Sequence, residues 1–85
     1  MNPDEIKAIV FQQLCAVAPE TEPSQVQLQQ KLRDQLDLDS VDFLNFIIGL
    51  HKQFKIDIPE KDYPQLMTIE SCVSYVIKKQ SSTTT

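Results

Sequence analysis

Eighty-five residues, 41% of them apolar and 24% charged, read as one small domain or a fragment of one and exclude a wholly disordered chain. Eight basic and twelve acidic side chains leave a net charge of −4, a surface that repels phosphate backbones and argues against nucleic-acid binding. One Gly, five Pro and no Trp speak against a Gly-punctuated β-barrel, and no apolar run nears the ~18 residues of a membrane span.

The N-terminus, Met1-Asn2-Pro3-Asp4-Glu5, has neither a basic n-region nor an apolar h-region, so no signal peptide is expected. Asn2 can cap a first helix, Pro3 suits its first position, and Glu5 completes a capping-box pattern. Ile6, Val10, Leu14 and Val17 recur at helical spacing with Ile9 at the edge of the stripe, and that face belongs in a core. Pro19 ends the helix, because the residue before a proline leaves the α region. The connection from residue 18 to about residue 39 holds Pro19, Pro23 and a Gln-rich stretch. Structureless loops of that length are uncommon, so it should carry a short helix or a function. Leu28, Leu32 and Leu36 recur every four residues and are expected to clamp it onto the bundle.

Asp39 is a plausible N-cap for a second main helix over residues 40 to about 54, with Asp42 in the first turn, where negative charge is favoured. Ile56-Asp57-Ile58-Pro59 reads as extended. Pro59-Glu60-Lys61-Asp62 can start a short third helix or turn, which Pro64 should stop. Thr68 caps a last helix whose Ile69, Cys72, Val73 and Val76 share a face, with Lys78 and Lys79 near its C-terminal end. Residues 1–79 therefore read as a single all-α domain. Its architecture is a small four-helix bundle: three main helices, a short third helix, and a long loop between helices 1 and 2. Residues 80–85 read as a disordered polar tail.

The second main helix carries two apolar faces. On a wheel of about 100° per residue, Phe43, Phe46, Ile47, Leu50 and Phe54 fall within roughly 100° of arc, enough to seat it on a core. Val41, Leu44 and Ile48 fall on the other side, within about 60°. One helix of a thin bundle cannot bury both faces in one core. The second stripe is either covered in part by the long loop or exposed, and exposed apolar patches mark interaction sites. It begins beside Ser40. A first-turn serine is often only a cap, but this one follows a long loop and lies among Asp34, Asp37, Asp39 and Asp42, with no basic residue in that span.

Several chemistries fall away. A nucleophilic serine needs a base within about 3 Å. His51, the one histidine, stands eleven residues along the same expected helix, roughly 16 Å off at 1.5 Å rise per residue. It reads as a solvated surface residue. No phosphate-binding glycine loop is present, and the carboxylate cluster lacks the pattern of a Ca²⁺ loop. Cys15 and Cys72 have no metal-ligand spacing and read as reduced thiols, the first half-buried and the second in the core.

The segment Leu36-Asp37-Leu38-Asp39-Ser40-Val41-Asp42 resembles the Asp-Ser-Leu-Asp attachment motif of acyl carrier proteins. The resemblance spans roughly residues 4 to 78: the long first loop, Phe54 closing the second helix, Ile58-Pro59 before the short third, and Thr68-Ile69 opening the last. It implies that Ser40 receives 4′-phosphopantetheine from coenzyme A through a separate phosphopantetheinyl transferase, the holo-carrier synthase. It also implies that the protein is no enzyme but carries an acyl group as a thioester to acyl-loading and acyl-transfer enzymes. The second helix would be the recognition element, with Asp39, Val41, Asp42, Leu44, Asn45 and Ile48 meeting partners.

The chain departs from the common pattern in three respects. Asn45, His51, Lys52 and Gln53 stand where fatty-acid-synthesis carriers usually have several Glu. Asp37 stands where Gly is frequent. Phe43 and Phe46 replace smaller residues and would fill part of the acyl cavity. A dedicated carrier for lipid or secondary-metabolite (polyketide-type) biosynthesis is therefore expected rather than the housekeeping fatty-acid carrier. The expected protein is a cytoplasmic monomer, not an integral membrane protein. Two alternatives stay open: a carrier of aminoacyl or peptidyl groups, and a cofactor-free helical adaptor that binds a partner helix through Val41, Leu44 and Ile48.

Overall fold

The computed structural model describes residues 2–82, which form four α-helices and two 3₁₀ segments. Helix α1 spans Pro3–Val17. Asn2 Oδ1 accepts the Glu5 backbone N–H at 2.9 Å, and Glu5 answers by accepting from the Asn2 side-chain amide at 2.9 Å. The box closes side chain to side chain, because an asparagine cap offers its own NH₂. Ile6, Val10 and Leu14 are fully buried, while Val17 and Ile9 pack at the core's edge.

The long connection holds a 3₁₀ turn at Pro23–Gln25 and a one-turn helix α2 at Leu32–Gln35. Its clamp differs from the expected leucine triplet. Leu32 is fully buried and Leu36 packs at the edge, but Leu28 is exposed; Val26 and Leu38 are the other buried residues. A four-residue repeat places side chains on one face only if the segment is a continuous helix, and here a single turn is helical. Leu28 contributes its carbonyl instead, which accepts the Glu70 N–H at 3.0 Å. The side-chain amide of Gln35 pins the loop further. It accepts the Gln27 N–H at 2.8 Å and donates to the Gln27 and Gln30 carbonyls at 2.9 and 3.1 Å.

Helix α3 spans Ser40–Phe54 and buries Phe43, Phe46, Ile47, Leu50 and Phe54, the whole of the expected core stripe. Lys55 ends it in the left-handed conformation, φ 54°. His51 Nδ1 hydrogen-bonds the Ile56 carbonyl just past that turn, so its ring, exposed as expected, also ties down the helix end. A 3₁₀ segment, Glu60–Leu66, runs through Pro64 rather than stopping there. The fixed proline φ suits a 3₁₀ turn, and Leu66 beyond it is fully buried and holds the turn to the core.

Helix α4 spans Ile69–Ser82. Ser71 N–H donates to the Thr68 hydroxyl at 3.0 Å, and Thr68 N–H donates to Ser71 Oγ at 3.1 Å, a reciprocal cap. Ile69, Cys72 and Val76 are fully buried. The helix passes the expected boundary at residue 79 and takes in residues 80–82, since a further turn needs only backbone bonds and residues that tolerate helix. The rest of the expected disordered tail, 83–85, lies outside the described residues. Helix α1 packs against both α3 and α4, and the second 3₁₀ segment packs on α4. Among the described residues, no element packs over the exposed Val41, Leu44 and Ile48 of α3 closely enough to bury them.

Candidate functional site

Ser40 is the first residue of α3, and its position follows from its neighbours. Leu38 is buried on one side of it and Phe43 on the other, so the chain is held to the core at both points. Asp39 between them is extended, and its Oδ1 accepts the Asp42 N–H at 2.8 Å. That cap fixes the start of the helix at Ser40 and leaves its side chain exposed. The nearest polar partner of its hydroxyl is Arg33, whose Nη2 lies 3.5 Å from Ser40 Oγ.

The hydroxyl opens onto a groove of about 350 Å³ lined by Arg33, Ser40, Phe43, Leu44, Glu60 and Tyr63. Phe43, Leu44 and Tyr63 give it apolar lining, and Arg33 and Glu60 bring one charge of each sign. A larger groove of about 610 Å³ lies against α4, between Gln29, Gln65 and Lys78, and contains none of the expected site residues.

Along α3 the second apolar stripe is uncovered: Val41 is 64% exposed, Leu44 41% and Ile48 39%. Asn45 is exposed with them, as is Asp39 at the helix head. Asp42 is different. It is half-buried and lines a separate cleft with Val17, Ala18 and Leu38, at the end of α1. The structure therefore brings Ser40 and Leu44 to one groove, sets Val41, Asn45 and Ile48 on the same helix, and turns Asp42 to the opposite flank. A step of 100° per residue puts positions 40 and 42 about 160° apart.

Arg33, Glu60 and Tyr63 line the groove beside Ser40, and periodicity does not reveal them. They come from the one-turn helix and the 3₁₀ segment, where no repeat reports which way a side chain points. The one signal for Arg33 was its being the sole arginine of the chain, immediately before the run of aspartates.

The site has no assembled catalytic set. His51 lies at the far end of α3 from Ser40. Burial pushes the Cys72 thiol up to about 12, and burial with the Asp62 hydrogen bond raises the Tyr75 phenol. Both belong to α4, outside the groove. Among the described residues no group of three or more His, Cys, Asp or Glu side chains could hold a metal ion, and no helix is long and apolar enough to cross a membrane.

Comparison with known proteins gives this arrangement a family. A family model described as a phosphopantetheine attachment site matches residues 5–76. An acyl carrier protein of Campylobacter jejuni (strain RM1221) is 34% identical over 73 residues, covering 86% of this chain and 88% of that one. One from Campylobacter fetus subsp. fetus is 32% identical with the same coverage. Among solved structures, a putative acyl carrier protein from Anaplasma phagocytophilum superposes with a TM-score of 0.78 at 26% identity, covering 92% of each chain. The acyl carrier protein of Enterococcus faecalis, at 22% identity and a TM-score of 0.72, shares the fold over 93% of this chain and 99% of its own. With a family match that runs from the first turn of α1 through all of α3, and relatives aligned over nearly their full length, the chain belongs to the acyl carrier protein family.

Proposed function

We propose that Ser40 is the attachment point of 4′-phosphopantetheine and that Asp39, Val41, Leu44, Asn45 and Ile48, with Asp42 on the flank, form the surface that partner enzymes meet. The cofactor is that of the family, whose members are carriers and not catalysts. When bound, it supplies a terminal thiol that holds an acyl unit as a thioester. The residues present fit such a group. Ser40 offers an exposed hydroxyl, the groove beside it is open and partly apolar, and Arg33 supplies a cation next to an anionic phosphodiester. The observation that carries the reading is the exposed Ser40 at the head of a helix whose outer apolar residues Val41, Leu44 and Ile48 stay exposed.

The chain's own residues divide the work. Ser40 supplies the ester oxygen. No imidazole stands beside it, so a separate transferase has to supply the base that takes its proton. With the Asp42 N–H taken by the Asp39 cap, the positive end of the α3 dipole at Ser40 would still favour an anionic phosphodiester there. Val41, Leu44 and Ile48 supply apolar contact area, while exposed Asp39 steers basic partner surfaces and favours quick, reversible docking.

The pathway is inferred to be a dedicated one in lipid or secondary-metabolite biosynthesis. Asn45, Lys52 and Gln53 on the exposed side of α3 support that reading, because rim charges set partner choice. The interior under the groove is filled by Phe43 and Phe46, whose ring centroids lie 6.3 Å apart. That filling disfavours swallowing a long acyl chain. Intact mass after coexpression with a broad-specificity phosphopantetheinyl transferase tests the reading. The native chain should gain one phosphopantetheine and Ser40→Ala none; an unmodified native chain would defeat it.

A further inference from the structure

We propose that Arg33 is a cofactor-binding residue that holds the phosphodiester of the attached arm from within the chain, and this rests on Ser40 being the attachment point. Its guanidinium Nη2 is 3.5 Å from Ser40 Oγ, and both residues line the groove that leads away from the helix head. The distance is long for a bond to a neutral hydroxyl. It leaves room for a closer, charge-assisted partner: a phosphorus on Oγ sets its two free oxygens beyond that atom, within reach of a planar fork of donors.

Arg33 is also placed firmly enough to act. It belongs to the single turn of α2, whose Leu32 is fully buried and donates its N–H to the Met67 carbonyl at 2.7 Å. At the other end of that turn the Gln35 amide is bonded to Gln27 and Gln30. The backbone under Arg33 is therefore pinned on both sides while its side chain stays exposed.

Electrostatics favours the same assignment. Asp34, Asp37, Asp39 and Asp42 surround the attachment point in sequence, and Arg33 is the nearest cation before them. Those carboxylates oppose an added anion, and an internal cation beside Ser40 would offset them. Among the described residues Arg33 makes no ion pair with a carboxylate, although Glu60 lines the same groove. Its charge is available to the phosphodiester.

The test uses the ¹⁵N-labelled full chain, converted from apo to holo with coenzyme A and a phosphopantetheinyl transferase, and followed by intact mass and NMR. Arg33 is the sole arginine, so its Nε–Hε signal needs no further assignment. On conversion that signal should shift and its exchange with water should slow. The ³¹P signal of the holo phosphodiester should move in Arg33→Gln and return toward the native position in Arg33→Lys, with the far-ultraviolet circular dichroism of all three chains alike. An Arg33 signal unchanged in a chain whose mass shows full conversion overturns the role of Arg33 alone. A native chain that gains no mass overturns the attachment at Ser40 as well.

Discussion

The Tyr75 hydroxyl donates to Asp62 Oδ2 at 2.7 Å, and that bond fastens α4 to the 3₁₀ segment carrying Glu60 and Tyr63, the far wall of the groove beside Ser40. Lys79 Nζ stands 3.8 Å from the same oxygen and 5.5 Å from the Tyr75 ring centroid. The lysine is one-third exposed, so its pair adds at most about 1 kcal/mol.

Tyr75→Phe removes the phenol and leaves the ring, which is 4% exposed, in place. A hydrogen bond to a carboxylate stabilises by about 1.5–3 kcal/mol, and the low end applies because Asp62 keeps some contact with water. A loss of about 1.5 kcal/mol corresponds to roughly 6–12 °C of Tm in a domain of this size. Thermal unfolding followed by circular dichroism measures it, and an unchanged midpoint would show that the bond does not fasten the segment.

Asp39 has two separable duties. As the N-cap of α3 it accepts the Asp42 N–H, and as an exposed carboxylate it adds charge beside Ser40. Asp39→Ala should cost about 1 kcal/mol in urea unfolding, whereas Asp39→Asn keeps an accepting oxygen and should cost only a few tenths. Both should slow loading by a partner at low salt by a similar factor, since both remove the charge. Equal losses of stability in the two variants would mean that the cap bond is not what matters there.

These devices were legible in the sequence because they are local. The caps at Asn2, Asp39 and Thr68 need only a polar side chain three residues before the N–H it takes. Both faces of α3 follow from its period, and the exposure of Val41, Leu44 and Ile48 is the wheel made visible. The loop was not legible in the same way. Leu28 repeats with Leu32 but points outward, and Val26 and Leu38, in no repeat, are buried. Its hold depends on the Gln35 amide bonding backbone eight residues away, which no pattern announces. Arg33 beside Ser40 is the same case: the two meet because a single helical turn is folded back on the helix head.

Gly49 offers a stabilising substitution. It sits within α3, where glycine costs roughly 0.8–1 kcal/mol relative to alanine. A Cβ there meets the Gln13 side chain of α1, first at Oε1 and then at Cδ, 3.2 Å away. The obstacle is the far end of a flexible side chain, which can swing aside. Gly49→Ala should therefore gain about 0.5 kcal/mol in urea unfolding, after part of the helix gain is spent on reordering Gln13. The double variant with Gln13→Ala should gain more. A destabilised single variant would show that Gln13 cannot move.

Cys72 makes stability depend on alkali. Burial raises its thiol from 9.0 to about 12, so the unfolded chain loses that proton first as pH rises. Below pH 9 both states keep the proton and the thiol adds no slope. Between that point and the folded value, each pH unit removes about 1.4 kcal/mol of stability. The Tyr75 phenol, also raised on folding, adds a loss in the same direction from its own ordinary value of 10.0 upward. The window from pH 9 to 10 therefore isolates the thiol, and Cys72→Ala should flatten urea midpoints across it. A thiol-specific disulfide reagent should modify half-buried Cys15 in the native protein and reach Cys72 only on unfolding. Rapid native modification of both would contradict the burial.

The outer face of α3 gives the prediction that bears most directly on function. Leu44 and Ile48 are about two-fifths exposed and lie outside the buried core, so a charge at either position can reach water in the folded chain. Leu44→Asp and Ile48→Asp should each lower stability by about 1 kcal/mol, from the poorer helix propensity of Asp and the partial packing lost, and leave the fold intact. A partner that buries these side chains loses apolar contact and must desolvate a carboxylate, at a cost of about 1.4 kcal/mol or more. That corresponds to at least about a tenfold fall in kcat/KM for an acyl-loading enzyme, carried by docking rather than by the chemical step. The measurement is loading rate against carrier concentration, with intact mass confirming equal phosphopantetheine content in each variant. A fall confined to kcat, with KM unchanged, would place the effect beyond docking, because losing a surface contact should weaken the encounter before it alters the reaction.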